Sequence, residues 1–346
     1  MCRPPRALSG EASGCELSPN KTVACTRTRA TEQSFAPGRA QQRHAPVKRA
    51  VGGPEGQVFD LHCHILPGVD DGPASLEEAL ELARFCVQDG ITHVAATPHR
   101  HRHLRLLRAD ILPPVARFQE ALAKAGLPLI VLPGSEVQVT DTAAYRRDFE
   151  AGLYCHLGDG RAFTLVEFNW TAELYPPGAA ELVGWLRDRG TTPIIAHPER
   201  HGFFWDDRDR LRGLVAAGAW LQVTVDSLLG NHGPGPQAAG EEMLRAYPEA
   251  VLATDAHNVQ RCSGLAAGYG WVKDRLGTER AEDLRARAGW VLSQLLTANI
   301  PHARRLGTRP NTASICALPH TLLLCSLALV PPDATRGRNN ACPQDQ

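Results

Sequence analysis

The sequence has 346 residues, 43% of them hydrophobic and 21% charged, which is typical of a globular protein and unlike a disordered or fibrous chain. Lys plus Arg and Asp plus Glu both total 37. With no excess of positive charge to displace counterions, we expect no nucleic-acid partner. The ten cysteines contain no CxxC pair, which argues against a zinc ribbon or disulfide framework and predicts reduced thiols in a cytoplasmic protein.

Three regions differ in composition. Residues 1–57 are rich in Arg, Pro, Ala, Gly, Ser and Thr, and we predict a disordered extension there and a poorly ordered tail over 306–346. The tail's apolar run, 321–330, is shorter than the roughly 20 residues of a bilayer span, so no stable membrane insertion is expected. The middle, 58–305, carries 25 basic and 31 acidic residues and most of the 14 histidines, and we predict one domain with a site that needs cations.

Short apolar runs alternate with longer amphipathic stretches through the middle region. The predicted strands are 58–61, 93–97, 129–133, 164–167, 193–196, 221–225 and 251–254. The predicted helices are 76–89, capped by Ser75, and 113–125, 179–189, 207–217, 240–247 and 278–299. This alternation predicts a parallel α/β sheet, and about seven units in roughly 250 residues favour a (β/α) barrel. No GxGxxG follows the first strand, which argues against dinucleotide binding.

Histidines and carboxylates follow six of the seven predicted strands. The first strand leads into His62 and His64, whose spacing places both side chains on one face, and Asp71 comes soon after. The others, in chain order, are His99, Glu136, Glu167, His197, Asp255 and His257. Because the carboxyl ends of barrel strands carry the chemistry, we expect these side chains to meet at one end of the domain.

Such a group of buried imidazoles and carboxylates is costly unless it is paired or bound to metal. The mixed nitrogen and oxygen donors suit manganese, iron or zinc rather than calcium, and their number is enough for two or three ions. Some neighbours have a more ordinary interpretation. We take His93 as a core histidine, His101 and His103 as a solvated basic loop, and Asp70 as a turn residue.

The motifs resemble those of the PHP (polymerase and histidinol phosphatase) superfamily, most closely the bacterial metal-dependent protein-tyrosine phosphatases of capsule and exopolysaccharide loci. The matching strings are DLHCHILPGVDDGP (60–73), ATPHR (96–100), GSEV (134–137), VEF (166–168), IAHPER (195–200) and TDAHN (254–258). The resemblance covers about 58–300. It implies a distorted (β/α)7 TIM-like barrel of the PHP type that holds Mn²⁺, with Fe, Co or Zn as alternatives.

The resemblance also implies roles for individual residues. The nine candidate ligands would divide among three ions as follows: His62, His64, Glu136 and Asp255; Glu136, Glu167 and His197; and Asp71, His99 and His257. Phosphate would be bound by Arg200, in the HPER string, and by Arg261. Arg261 follows the TDAHN string one residue sooner than expected.

These roles imply a metal-dependent protein-tyrosine phosphatase in which a metal-activated hydroxide attacks phosphorus in line, while Arg200 takes two phosphate oxygens. Strand alternation should point Cys63 away from the ligands, and no C-x5-R loop is present, so a cysteine nucleophile is disfavoured. No general acid for the leaving tyrosinate is identifiable; water or His257 could serve. The implied partner is a tyrosine-phosphorylated protein, an autophosphorylating tyrosine kinase of polysaccharide export, and the implied role is regulation of capsular or exopolysaccharide synthesis.

Two alternatives stay open on the sequence alone. One keeps the barrel but takes a small phosphate ester such as histidinol phosphate. The other is a non-catalytic metal-binding regulator of the same pathway, against which the complete ligand series argues. The aromatic residues Trp170, Tyr175 and 203–205 follow the fourth and fifth strands, and either line a cleft for an aromatic ring or pack against the rim.

Overall fold

A computed structural model describes residues 56–298, which form a mixed α/β arrangement with parallel sheets. Of the predicted disordered extension 1–57, only Gly56 and Gln57 fall among the described residues. The predicted tail 306–346 lies outside them. Within the described part of the chain, every helix is too short or too polar to cross a membrane.

The strands of the described residues are β1 (Phe59–Cys63), β2 (His93–Ala96), β3 (His99–Arg100), β4 (Ile130–Pro133), β5 (Glu136–Val139), β6 (Phe163–Phe168), β7 (Thr192–Ala196), β8 (Trp220–Thr224) and β9 (Ala250–Ala253). Each of the seven predicted strands is confirmed to within two residues at either end. The apolar pattern does not predict β3 and β5. Each follows a two-residue break and begins with a polar residue, so neither reads as an apolar run.

The α-helices of the same range are α1 (Leu76–Gln88), α2 (Arg108–Lys124), α3 (Thr142–Glu150), α4 (Ala179–Asp188), α5 (Gly202–Asp206), α6 (Arg208–Ala216), α7 (Val225–Leu228), α8 (Pro234–Ala246), α9 (Leu265–Leu276) and α10 (Thr278–Ala298). All six predicted helices are present. The Ser75 cap is confirmed, because its side chain accepts a hydrogen bond from Glu78 N at 3.2 Å.

The predicted starts of two helices are wrong. Helix α2 begins at Arg108 rather than at 113, and α8 begins at Pro234 rather than at 240. Both first turns contain few apolar residues, so periodicity does not reveal them. The start of α2 is instead fixed by the Asp110 carboxylate, which accepts a hydrogen bond from Leu107 N at 2.9 Å. A proline suits the first turn of α8, where its missing N–H leaves no helical bond unmade.

The strands pair in the orders β1-β2-β4 and β3-β5-β6-β7-β8-β9, and all ladders are parallel. The outer strands β1 and β9 also meet. His64 N donates to Ala256 O at 2.8 Å, and Asp255 N donates to His62 O at 2.9 Å. Parallel pairing throughout places the carboxyl ends of the strands along one edge.

Apolar side chains pack on both faces of the strands, so the strands are buried on both sides. One cluster joins the strands to the surrounding helices, and its members include Val94 of β2, Val131 of β4, Leu82 of α1 and Phe118 of α2. Cys63 belongs to this helix-facing cluster, as predicted. A second cluster fills the other face, and its large members are Phe59, Leu61, Phe163, Leu165, Ile194, Leu292 and Leu295. Helix α10 therefore packs against the face of the strands that carries this second cluster. The polar strand ends form the site.

Candidate metal centre

All nine predicted ligands lie together: His99 and Glu136 begin β3 and β5, and the other seven lie near or after the carboxyl ends of β1, β6, β7 and β9. They form four overlapping groups in which the nitrogen and oxygen atoms lie within 4.8 Å of one another. The groups are His64, Asp71, His99 and His257; His62, His64 and Glu136; His62, His197 and Asp255; and His99, Glu136 and Glu167. These groups share members with the three ligand sets implied by the sequence resemblance, but they divide the histidines differently.

Glu136, the first residue of β5, lies at the centre of the cluster. Its Oε1 is 2.8 Å from His197 Nε2, and its Oε2 is 2.8 Å from His99 Nδ1. The same Oε2 lies 3.5 Å from the Nε2 atoms of both His62 and His64. A carboxylate with both oxygens among imidazoles is placed to bridge two cations.

Two hydrogen bonds orient the rings of the first motif. His62 Nδ1 donates to Gln222 Oε1 at 2.9 Å, and His64 Nδ1 donates to Asp70 Oδ2 at 2.6 Å. In the neutral rings, the Nε2 atoms then carry lone pairs, and these two atoms face each other at 3.2 Å. Such an arrangement needs a positive charge between the nitrogens and is the usual orientation of metal-binding histidines.

Several buried polar atoms of the cluster have no hydrogen-bond partner. They are His197 Nδ1 and the two atoms Glu136 Oε2 and His99 Nδ1, which lie 2.8 Å apart but without hydrogen-bond geometry. Buried polar atoms are almost always satisfied in folded proteins, so atoms of this kind at a shared focus require an explanation. A bound cation would satisfy the carboxylate oxygen and the imidazole nitrogen that face each other at 2.8 Å. The donor set therefore fits a metal site.

Two of the ligand-bearing residues have left-handed backbone conformations. His197 has φ of +32° and Asp255 has φ of +53°, and neither is a glycine. Such conformations are unfavourable for residues with a Cβ and are commonly retained at functional sites. Both residues directly follow a strand or its extension, and the backbone turn carries each side chain back over the strand end.

The sequence did not predict a role for Gln222, and for Asp70 it predicted only a turn. Asp70 does form the predicted turn, accepting from Gly72 N at 3.1 Å, but its other oxygen holds His64. Gln222 is fully buried in β8, where it also accepts from His197 N at 3.2 Å. The available signal was a single amide within an otherwise apolar strand. Asp60 is likewise a polar residue in a buried strand, β1, and its carboxylate accepts hydrogen bonds from the backbone N–H and the hydroxyl of Thr254.

A cleft of about 650 Å³ opens above the cluster. Both predicted phosphate-binding arginines line it, and Arg200 Nη1 donates to Asp255 Oδ2 at 2.8 Å. Trp170 also lines the cleft, is 48% exposed, and stacks on His201 with ring centroids 4.5 Å apart. Phe203 and Phe204 are instead buried and pack with Tyr175, whereas Trp205 is 37% exposed and lines a different groove.

A family model described as capsular polysaccharide synthesis, CpsB/CapC, matches residues 58–291. The chain belongs to the CpsB/CapC family. The tyrosine-protein phosphatase YwqE of Bacillus subtilis is 33% identical over 204 residues, which cover 59% of this chain and 78% of the relative. The tyrosine-protein phosphatase CpsB of Streptococcus pneumoniae is 26% identical, with coverages of 66% and 94%.

A solved structure supports the same relationship. It aligns with a TM-score of 0.64 and 31% identity over 68% of this chain and 94% of the other. That structure comes from a study of YwqE from Bacillus subtilis and CpsB from Streptococcus pneumoniae, described as unique metal-dependent tyrosine phosphatases. The fold of this chain is therefore also found in an experimentally solved relative.

The charges of this CpsB/CapC cluster depend strongly on one another. Burial disfavours the protonated form of His62, but the carboxylates of Glu136 and Asp255 outweigh it and raise the pKa of His62 to about 9. Burial also disfavours the charged forms of Glu136 and Asp255, yet the facing imidazoles hold the pKa of each below its ordinary value. Burial and the charge of Glu136 raise the pKa of Glu167 to about 8.

These shifts predict how the stability of the metal-free protein changes with pH. His62 has a pKa of about 9 in the folded chain against 6.5 ordinarily, so its stabilising contribution is full below pH 6.5 and is lost as the pH rises through 9. Glu167 has a pKa of about 8 in the folded chain against 4.5 ordinarily, so its contribution to the free energy of unfolding is lost as the pH rises from 4.5 through 8. Urea unfolding of chelator-treated protein should give a free energy of unfolding that falls by at least about 1 kcal/mol between pH 6.5 and 8.

The matched variant is Glu167→Gln, which removes the contribution of Glu167 and should make this fall smaller. A divalent cation should also reduce it, because the cation replaces the protons that the folded cluster needs. A free energy of unfolding that stays level over this range in chelator would contradict the raised pKa values of His62 and Glu167.

Proposed function

We propose that this chain is a metal-dependent protein-tyrosine phosphatase that hydrolyses phosphotyrosine with water. The observation that carries the proposal is the convergence of nine imidazole and carboxylate groups in one cluster, six of which line the same cleft as Arg200. The relatives named as tyrosine-protein phosphatases support the substrate class. The CpsB/CapC family description supports a role in capsular polysaccharide synthesis, which the enzyme would regulate.

We further propose that residues 58–305 form a single distorted (β/α)7 barrel of the PHP type. The nine observed strands would give seven barrel strands: β1, β6, β7, β8 and β9 would each form one, β2 and β3 would together form another, and β4 and β5 would together form the seventh. The contacts of β1 with the segment after β9 support closure, including the parallel bridge between Cys63 and Ala256. In such a barrel, the ligands would line the mouth at the carboxyl ends of the strands.

The nine side chains would hold two or three ions, with manganese as the expected metal and iron, cobalt or zinc as alternatives. Nitrogen and oxygen donors without a thiolate suit manganese. The ligand sets are those implied by the resemblance: His62, His64, Glu136 and Asp255; Glu136, Glu167 and His197; and Asp71, His99 and His257. When bound, the ions would neutralise phosphate and lower the pKa of water so that it becomes a nucleophile.

The chain's own residues would bind and orient the substrate. Arg200 keeps one N–H on Asp255, and the remaining donors of its guanidinium can take phosphate oxygens. Arg261 lines the same cleft and would add a second positive charge. The proposed protein substrate is an autophosphorylating tyrosine kinase of polysaccharide export, for which the resemblance is the support.

The function is tested by phosphate release from p-nitrophenyl phosphate and from a tyrosine-phosphorylated peptide, with manganese or with chelator. We expect release that needs the metal and that favours the phosphotyrosine peptide over the same peptide carrying phosphoserine. Histidinol phosphate serves as the small-ester comparison. Preferential turnover of that compound would favour the alternative substrate, and absence of metal-dependent release from every substrate would overturn the proposed activity.

Arg200→Ala should lower kcat/KM on the phosphotyrosine peptide by about 100-fold or more, since charge stabilisation on the transferring phosphoryl group is a large part of catalysis. Metal content per chain, measured by elemental analysis, should stay unchanged. Arg84→Ala, on the exposed face of α1, is the matched control and should retain wild-type kinetics. If Arg200→Ala retained activity, the assignment of phosphate binding to Arg200 would be wrong.

Gln222→Leu should weaken manganese binding by about 10- to 100-fold, because it removes the acceptor that orients His62. A competition titration against a chelator gives the affinity. Gln119→Leu is the control, since it removes hydrogen bonds to Leu129 O and Val131 N without touching the cluster. Equal affinities in the two variants would show that His62 does not depend on Gln222.

A further inference from the structure

A chain of hydrogen bonds leads from a buried carboxylate to a histidine in the cleft. Ser227 Oγ donates to Glu199 Oε1 at 2.8 Å, and Ser227 Oγ also lies 3.0 Å from His232 Nδ1. Glu199 and Ser227 are fully buried, whereas His232 is half-buried and lines the cleft with Arg200 and Asp255. None of the three belongs to the groups of candidate metal ligands.

The direction of these bonds fixes the tautomer of His232. The serine hydroxyl has a single hydrogen, and Glu199 accepts it. The hydroxyl oxygen must then accept the bond to His232, so Nδ1 carries the ring hydrogen and Nε2 is the basic nitrogen. The arrangement of acid, hydroxyl and imidazole holds the ring in one orientation and leaves its Nε2 to gain or release a proton.

The turn that carries His232 is hydrogen-bonded to α7. Asn231 N donates to Asp226 O at 2.9 Å, and the Asn231 amide donates to the Asp226 carboxylate at 2.8 Å. Gly233 N donates to Gly230 O at 2.9 Å. Both glycines have positive φ, at +92° and +85°, so the tight turn is accessible to them without strain.

The charged groups around His232 come from three elements. Burial and the positive charge of Arg200, after β7, lower the pKa of His232, as does His197, while the carboxylates of Asp226 in α7 and Asp255 after β9 act in the opposite direction. A phosphate dianion bound by Arg200 would neutralise the guanidinium and favour protonated His232. Binding of substrate would thus supply the proton donor in its acidic form.

We propose that His232 is the general acid of the reaction, donating its Nε2 proton to the phenolic oxygen as it leaves phosphorus, with Ser227 and Glu199 as its positioning residues. The proposal rests on the proposed phosphatase function. In the hydrolysis, a water oxygen forms a bond to phosphorus and its surplus proton passes to solvent. The bond from phosphorus to the phenolic oxygen breaks with its electron pair on that oxygen, which takes the proton of His232. Neutral His232 then regains a proton from water, and the products are phenol and phosphate.

The alternative donor, His257, is less available. Its ring stacks on His64 with centroids 4.0 Å apart, its Nδ1 bonds Asp255 O at 2.9 Å, and its Nε2 is 3.4 Å from Asp71 Oδ1. Both nitrogens are thus engaged within the ligand cluster.

A tyrosine phenol has a pKa of about 10, so its departure from phosphorus at neutral pH is faster when an acid donates a proton to its oxygen.

The test varies the leaving group. His232→Gln should lower kcat on phenyl phosphate and on the phosphotyrosine peptide by about 100-fold. On p-nitrophenyl phosphate, whose nitrophenolate leaves without a proton, the loss should stay within about 5-fold. His103→Gln, at an exposed histidine of the loop beyond His99, is the matched control and should leave both rates unchanged. Metal content and circular dichroism verify that each variant is loaded and folded.

A second measurement does not depend on turnover. Nitrogen-15 NMR of the metal-free protein should show His232 with hydrogen on Nδ1, and Ser227→Ala should convert it to a mixture of tautomers. The same variant should lose about 10-fold on phenyl phosphate and less on p-nitrophenyl phosphate. A wild-type ring with hydrogen on Nε2 alone would contradict the relay.

The outcomes separate the two proposals. If wild-type protein released no phosphate from any substrate with manganese, the phosphatase function and this role would both fall. If p-nitrophenyl phosphate were turned over in a metal-dependent way, and His232→Gln changed both classes of substrate by the same factor or left both unchanged, only the role of His232 would be overturned.

Discussion

Charge balance in a buried cluster is the constraint on which the rest of the site depends. Five histidines and four carboxylates meet at the strand ends, and most of them are buried. The carboxylates draw protons onto the imidazoles, as at His62, whose pKa rises to about 9. Divalent cations would supply the same compensation at neutral pH while leaving the imidazoles neutral. The fold therefore makes a region that is poorly satisfied by protein atoms alone and well matched to metal.

The same orienting contact, an acceptor on a histidine Nδ1, occurs three times in and beside the cluster. Gln222 and Asp70 accept from the Nδ1 atoms of His62 and His64, which directs each Nε2 inward. Ser227 does the same for His232, but this ring lies outside the ligand groups and faces the cleft. An acceptor on one nitrogen thus decides the chemistry of the other: ligation in the first two rings and, as we propose, proton donation in the third.

The sequence predicts the strands and the ligand positions because both follow from local pattern. Apolar runs mark the strands, and a histidine or acid at each carboxyl end marks the mouth. Residues such as Gln222 and Ser227 act through partners 160 and 28 residues away in the chain, and one sequence does not show such pairings. The starts of α2 and α8 were misplaced for a related reason, because side-chain hydrogen bonds and proline geometry, rather than apolar spacing, define those turns.

Asp71 differs from the other candidate ligands in being 66% exposed at its side chain, and its neighbours His99 and His257 are only partly covered. The inner residues His62, His64 and Glu136 are shielded almost completely. If these sets hold ions as proposed, occupancy would be graded from rim to floor: the outermost ion would exchange with the medium first, and the innermost would be retained longest. The cellular supply of the metal would then control turnover through the outermost position, while the innermost ion stays bound.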